Sequence, residues 1–233
     1  MQQVITFTFF RFTAWKNQLW AFSRMQLAHK HFQNVQGLSF YKLMGSGGGD
    51  GFQWQPDWSA YCLMGVWDTI HCAKEFFQKA IILKQYKQKS LEQFTLWLKP
   101  LEAHGSWSGK QPFQFQNYQN GTPIAVLTRA TIYWKHVIEF WRNVPSTSAS
   151  MHNFEGKLFS KGIGELPIVQ QATISVWEDF ESMKRYAYKN PIHQKVIRLT
   201  RQKNWYREEM FARFQVIYAQ GSWKGSNPLG KFK

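Results

Sequence analysis

A long internal repeat limits the folds open to this chain more than any other feature. Gly105-Ser106-Trp107-Ser108-Gly109-Lys110-Gln111-Pro112-Phe113 returns 116 residues later as Gly221-Ser222-Trp223-Lys224-Gly225-Ser226-Asn227-Pro228-Leu229, with Gly, Ser, Trp, Gly and Pro identical. Further pairs keep the same order: Trp15-Lys16 with Trp134-Lys135, Lys42-Leu43 with Lys157-Leu158, and Val66-Trp67-Asp68 with Val176-Trp177-Glu178. The offsets drift between 110 and 119, as insertions in loops would make them. One supersecondary unit is therefore used twice.

Each half reads alike. A β-branched and aromatic run (Val4 to Phe12; Ile124 to Ile132) predicts a strand, and an amphipathic helix follows (Trp15 to His31; Trp134 to Asn143). Two strands come next, Leu38 to Met44 with Ala60 to Trp67, and Phe154 to Phe159 with Val169 to Trp177. Asp68 and Glu178 precede a second helix, where acids suit the helix dipole. A last strand closes each half, Phe94 to Leu98 and Phe211 to Tyr218. The order β-α-β-β-α-β, given twice, predicts an α+β protein of two tandem ferredoxin-like halves packed sheet to sheet. The halves are placed at residues 1–109 and 122–233, joined by a polar linker at 110–121 within one compact unit.

Composition removes several classes. Aromatic residues make up 18% of the 233 positions, too many for a disordered chain, and the longest apolar run (Ala60 to Trp67) is far too short to cross a bilayer. No secretory signal pattern opens the chain, and two cysteines, Cys62 and Cys72, make neither a disulfide framework nor a four-ligand zinc site. The expectation is a cytoplasmic protein with free thiols. The net charge of +15 is shared by both halves, +6 up to Asn120 and +9 after it. Such a surface suits anionic partners, including an anionic membrane touched peripherally, or simply keeps the chain in solution.

Seven histidines are the main candidates for chemistry. His29, His31, His71, His104, His136 and His152 fall at helix ends or loop edges without a ligand-like partner and read as structural or solvated. His193 differs. Pro191 is suited to the first position of a helix, and His193 then falls in the apolar arc of Ile192, Val196, Ile197 and Leu199. A histidine in that arc suits a packed core; it also suits a haem iron, which takes a neutral imidazole from an apolar surround. From Glu181 to Glu208 there is no acid but eight cations, a set that fits solvent, haem propionates or lipid headgroups. The glycine-rich run Gly45 to Gly51 lacks the Gly-Lys-Ser/Thr of a phosphate loop and reads as a flexible turn from which Ser46 could reach a ligand. Tandem RNA-recognition motifs share the element order, but their aromatic signature is missing from the central strands, which argues against nucleic acid.

Several blocks resemble the spheroidene monooxygenase family. They are Phe9-Phe10-Arg11-Phe12, Trp20-Ala21-Phe22 with Met25, and Leu38-Ser39-Phe40-Tyr41-Lys42-Leu43-Met44-Gly45-Ser46-Gly47. Gly51-Phe52 to Pro56-Asp57-Trp58, Gly105 to Gly109, Gly162-Ile163-Gly164-Glu165-Leu166-Pro167 and Asn204-Trp205-Tyr206-Arg207-Glu208-Glu209 complete the set. The resemblance spans nearly the whole chain, and Lys-Leu-x-Gly-Ser-Gly is its most specific part. It implies a dimeric α/β-barrel type of duplication, shared with haem enzymes such as chlorite dismutases and aldoxime dehydratases. It also implies an oxidoreductase, a monooxygenase of carotenoid biosynthesis that oxidises an acyclic, lipophilic carotenoid-like substrate with O2 on haem b. His193 would then be the axial ligand to the iron, with Val196 and Ile197 beside the cofactor. Arg11, Lys42 and Ser46 are catalytic candidates because they lie in the matching blocks. An external electron donor, a separate reductase or ferredoxin, would be required, and a homodimer is open. A haem- or hydrophobic-ligand-binding barrel without oxygenase activity, or a haem enzyme of another small substrate, are the alternatives.

Overall fold

The first strand, β1 (Val4–Arg11), is built of β-branched and aromatic residues and is buried along almost its whole length, because both of its faces are covered. The computed structural model describes residues 2–49, 53, 55–152, 154–166 and 168–230; side chains at 144–150, 152, 192 and 193 lie outside that set. After β1 come α1 (Trp15–Leu27), a 3-10 turn at His29–His31, β2 (Leu38–Gly47), β3 (Pro56–Trp67), α2 (Ile70–Lys79), α3 (Ile81–Lys89) and β4 (Glu92–Gly105). The second half repeats this as β5 (Ile124–Ile132), a 3-10 turn at Trp134–His136, α4 (Val137–His152), β6 (Lys157–Gly164), β7 (Gln170–Trp177), α5 (Phe180–Lys189), α6 (Pro191–Lys203) and β8 (Tyr206–Gly221).

The eight strands form one closed antiparallel barrel in the order β1-β3-β2-β6-β7-β5-β8-β4. This corrects the expectation of two sheets packed face to face. Each repeat contributes four neighbouring strands, β4-β1-β3-β2 and β8-β5-β7-β6, and the two arcs join edge to edge through β4–β8 and β2–β6. A separate four-stranded sheet would leave two rows of unpaired N–H and C=O groups, and closure removes both. The same pairing explains why β4 and β8 run to 14 and 16 residues, well past the expected strand ends.

The second helix of each half is broken into two. Thr69 caps α2 by accepting from the Cys72 N–H, and Asp179 caps α5 by accepting from the Ser182 N–H. The break at Asn190 follows from Pro191, which disfavours helical backbone in the residue before it. The matching break at Ala80 has no proline; Ile82, Leu83 and Tyr86 hold α3 in place by burial.

Strand register relates the two repeats residue by residue. Phe10 faces Tyr61 as Ala130 faces Gln171, and Leu63 lies between Thr8 and Leu43 as Thr173 lies between Thr128 and Gly162. Lys42 faces Met64 as Lys161 faces Ile174, so the counterpart of Lys42 is Lys161, not Lys157. A two-residue identity was too short to fix the alignment. The Gly-rich run is likewise not all turn, since β2 continues through Gly45, Ser46 and Gly47; Asp50, Gly51 and Phe52 lie outside the described residues.

Candidate active site

Side chains fill the barrel. Phe7, Phe9, Phe94, Phe113, Phe159 and Phe214 occupy it with Met, Leu, Ile and Val residues, nearly all fully buried, and their rings meet mostly edge-on. The two repeat motifs close its ends. Trp107 stands at one mouth and Trp223 at the other, each in a tight turn pinned by a glycine of positive φ, Gly105 and Gly221. Lys42 lies over the Trp107 ring and its counterpart Lys161 over the Trp223 ring, at 5.7 and 5.8 Å.

An acid anchors each turn. Glu92 accepts from the Lys224 and Gly225 N–H groups and from Arg11 Nε at 2.6 Å. Glu208 accepts from the Gly109 N–H, Ser106 Oγ and Arg129. Burial by itself would push the Glu92 carboxyl up, yet the Gly225 N–H, Arg11 and the Lys224 N–H together hold it below the ordinary carboxylate range. Glu208 has the same opposition, burial against the Gly109 N–H, Arg129 and Ser106, with the same result. These acids are charged, and the barrel is a plugged scaffold rather than a pocket.

Arg11, Lys42 and Ser46 are not brought together. Arg11 pairs with Glu92 at the Trp223 mouth, and Lys42 donates to Glu165 and Ser108 at the Trp107 mouth. Ser46 lies on the β2–β6 seam, donating to the Gly162 carbonyl at 2.9 Å.

The layers between sheet and helices differ between the halves. In the first, a single apolar cluster covers the sheet: Phe10, Leu43, Tyr61 and Leu63 from the strands meet Leu83 and Tyr86 from α3. Only about 10 Å³ of void remains there. In the second half the strand positions equivalent to those four carry Ala130, Gly162, Gln171 and Thr173. Every one is shorter than its counterpart, and two are polar. The apolar layer accordingly splits into one cluster around Trp177, Met183 and Tyr186 and another around Ile132, Phe140 and Trp205. Between them lies Thr173, 3% exposed, whose Oγ1 has no partner; Thr128 beside it on β5 is exposed. Buried hydroxyls are nearly always satisfied, and this one falls where the two apolar clusters part. The helices differ as well: α1 lies against β2 and β3, whereas among the described residues its counterpart α4 packs closely on α6 instead.

Position 193 belongs to this second layer. α2 and α5 have equal length and matching caps, so α3 and α6 align, and the counterpart of His193 is Leu83, buried against the sheet. The His193 side chain itself lies outside the described residues. Val196 is the smaller counterpart of Tyr86 and packs with Leu199 on the Trp205 cluster, while Ile197 is 37% exposed. Periodicity had placed Ile197 in the apolar arc; the helix turns it to the rim. The shortened face on β5 to β7 escaped sequence reasoning, and only the repeat alignment could have found it.

The remaining candidates are dispersed. His29 bonds the Tyr41 hydroxyl at 3.0 Å, His136 stands 3.9 Å from Glu139, and the His152 side chain lies outside the described set. Burial pushes the Cys62 thiol well above its ordinary value, which keeps it protonated. Among the described residues no three His, Cys, Asp or Glu side chains gather as a metal site, and haem would need only one ligand. An open depression of about 400 Å³ lies by α2 and α3, lined by His31, Cys72, Glu75 and Lys79.

No family model matches the chain. It is 34% identical over 232 residues to spheroidene monooxygenase of Cereibacter sphaeroides, covering 98% of this chain and 71% of that protein. It is also 34% identical over 229 residues to spheroidene monooxygenase of Rhodobacter capsulatus, covering 97% and 95%. In fold it resembles the crystal structure of an aldoxime dehydratase, with a TM-score of 0.62 at 9% identity over 97% of this chain and 82% of the other. Among the described residues no helix is long and apolar enough to cross a membrane. Similarity of this extent over nearly the full length of a relative makes the chain an oxidoreductase, a monooxygenase that belongs to the spheroidene monooxygenase family.

Proposed function

We propose that the chain is a haem-dependent monooxygenase that oxidises a lipophilic, carotenoid-like substrate with O2, and that the haem sits between β5–β8 and the α4–α6 pair. The observation that carries this is the coordinated shortening of the second sheet's outer face, where Phe10, Leu43, Tyr61 and Leu63 give way to Ala130, Gly162, Gln171 and Thr173. One truncation is ordinary drift; four on one face, opposite the helix position where Leu83 is replaced by His193, would make room for a flat group and would set a histidine on the facing helix as its ligand. Bound haem would supply the O2 activation.

The chain's own residues would do the rest. His193 would hold the iron, Val196 would pack beside the ring, and Ile197 would lie at its rim. Thr173 Oγ1, which has no partner, would donate its proton toward a polar atom of the cofactor or the substrate. The clusters around Trp177 and Trp205 would exclude water on either side and give an apolar substrate a surface to lie on. Electrons would come from a separate reductase or ferredoxin.

Titration with hemin tests the reading. The purified protein is expected to bind one hemin and give a Soret band, which His193→Ala shifts or abolishes while far-UV circular dichroism stays unchanged. With a reductase and an acyclic carotenoid, the loaded protein should form an oxygenated product carrying label from 18O2. A wild-type protein that leaves hemin free would sink the haem assignment.

A further inference from the structure

We infer that the α4–α6 face docks on an anionic lipid bilayer, so that the lipophilic substrate reaches the second-half layer from the membrane; the choice of this face rests on the function proposed above. Trp134 in the 3-10 turn and Ile138 in the first turn of α4 point outward at 73% and 70% exposure, about one turn apart. Ile168, exposed on the β6–β7 loop with φ of +75°, joins them because Trp141 donates its indole N–H to the Ile168 carbonyl at 3.0 Å. A β-branched residue at positive φ is strained, and here that backbone holds an apolar side chain in the open.

The flanking charge says what covers this patch. α6, packed on α4, contains no acid, and its Lys195, Arg198 and Arg201 are exposed with no acidic partner among the described residues. The one acid near the start of α4, Glu139, is already paired with Lys203 and bonded by the Trp205 indole. Aromatic and aliphatic side chains beside unpaired cations match the interface of an anionic bilayer, which takes rings at headgroup depth and attracts each cation separately. A second copy of this chain would bring the same cations together and repel.

The first repeat carries a related stripe, Trp15, Leu19 and Phe22, on the opposite arc of the barrel, so a flat membrane reaches only one of the two. The second lies over the shortened sheet face, and the first over a filled layer.

Flotation with vesicles tests this directly. The wild-type protein should float with vesicles of equal parts phosphatidylglycerol and phosphatidylcholine, and much less with pure phosphatidylcholine or in high salt. The triple variant Lys195→Gln, Arg198→Gln, Arg201→Gln should bind on the order of 100-fold more weakly, near fivefold per cation. Trp134→Ser with Ile138→Ser should also release the protein, while Trp15→Ser with Phe22→Ser should leave binding unchanged. The proposal is overturned if the first-repeat pair abolishes binding and the second does not. It is equally overturned if the wild type ignores anionic vesicles, or if Trp134→Ser with Ile138→Ser only dissolves a dimer. Hemin titration of the same samples separates the two readings, because a protein that floats but leaves hemin free keeps the docking face and loses the haem.

Discussion

Glu92 and Glu208 hold matched posts at opposite ends of the barrel, and their chemistry makes the ends sensitive to acid. Each has a folded-state pKa held below the ordinary 4.5, so each stabilises the fold above that pH and loses the contribution as pH falls through the lowered value. Glu92→Gln should cost about 1.5–3 kcal/mol at neutral pH, the range for hydrogen bonds to a charged group. The stability of the variant should also fall less steeply than wild type between about pH 5 and pH 3, as urea titrations at each pH would read. Equal slopes in the two proteins would remove Glu92 from the acid response. The glycines beside these acids are as demanding: a Cβ on Gly221 would come within 2.0 Å of the Gln93 carbonyl, and its φ of +90° already excludes ordinary side chains. Gly221→Ala is expected to cost at least about 2 kcal/mol, roughly 4–8 °C in thermal midpoint by calorimetry. The Gly-Ser-Trp turns were visible in the sequence as a repeat, but the acids that hold them were not. Glu92 bonds residues 132 and 133 positions away and Glu208 bonds one 99 away, and no local pattern records such a contact.

The difference between the two helix layers is a property of elements, and it separates stability from function. Thr173 leaves a buried Oγ1 unpaired, so Thr173→Val keeps the shape while removing an unmet hydrogen bond, and should be neutral or stabilising by up to about 1 kcal/mol. Ala130→Phe restores the bulk of the first repeat at Phe10; it should leave folding intact but block hemin uptake, read as a lost Soret band beside an unchanged circular dichroism spectrum. A variant that still took up hemin normally would place the cofactor elsewhere. Much of this layer was legible beforehand. Pro191 marked the start of α6, and the helical period put Val196 and Leu199 on its inner side, where they pack. What periodicity could not supply was the neighbour across the layer. Whether a helix faces Leu63 or Thr173 depends on strand register, and register depends on bulges such as that between Lys157 and Phe159, which no propensity encodes.

Closure of the barrel governs the molecule as a whole. The two repeats were readable from the Gly-Ser-Trp turns, but their edge-to-edge union was not, because β4–β8 and β2–β6 are joined by backbone hydrogen bonds that leave little side-chain signature. The β4–β8 ladder is the longest in the barrel, running from Phe94–Gly221 to Gly105–Met210, and the Trp107 turn of the first repeat is bonded by Glu208 of the second. The Trp223 turn is bonded in return by Glu92 of the first. Neither arc can open without exposing two strand edges and unplugging both mouths. Unfolding in urea should therefore be one cooperative transition, with tryptophan fluorescence and far-UV circular dichroism superimposing, although the chain is built of two repeats. Among the described residues the five fully buried tryptophans lie in both halves, Trp67, Trp97 and Trp107 in one and Trp177 and Trp205 in the other, so fluorescence would report either half melting alone. A plateau between two transitions would mean that one arc holds its own edges, and that the shared turns contribute less than the pairing within each repeat.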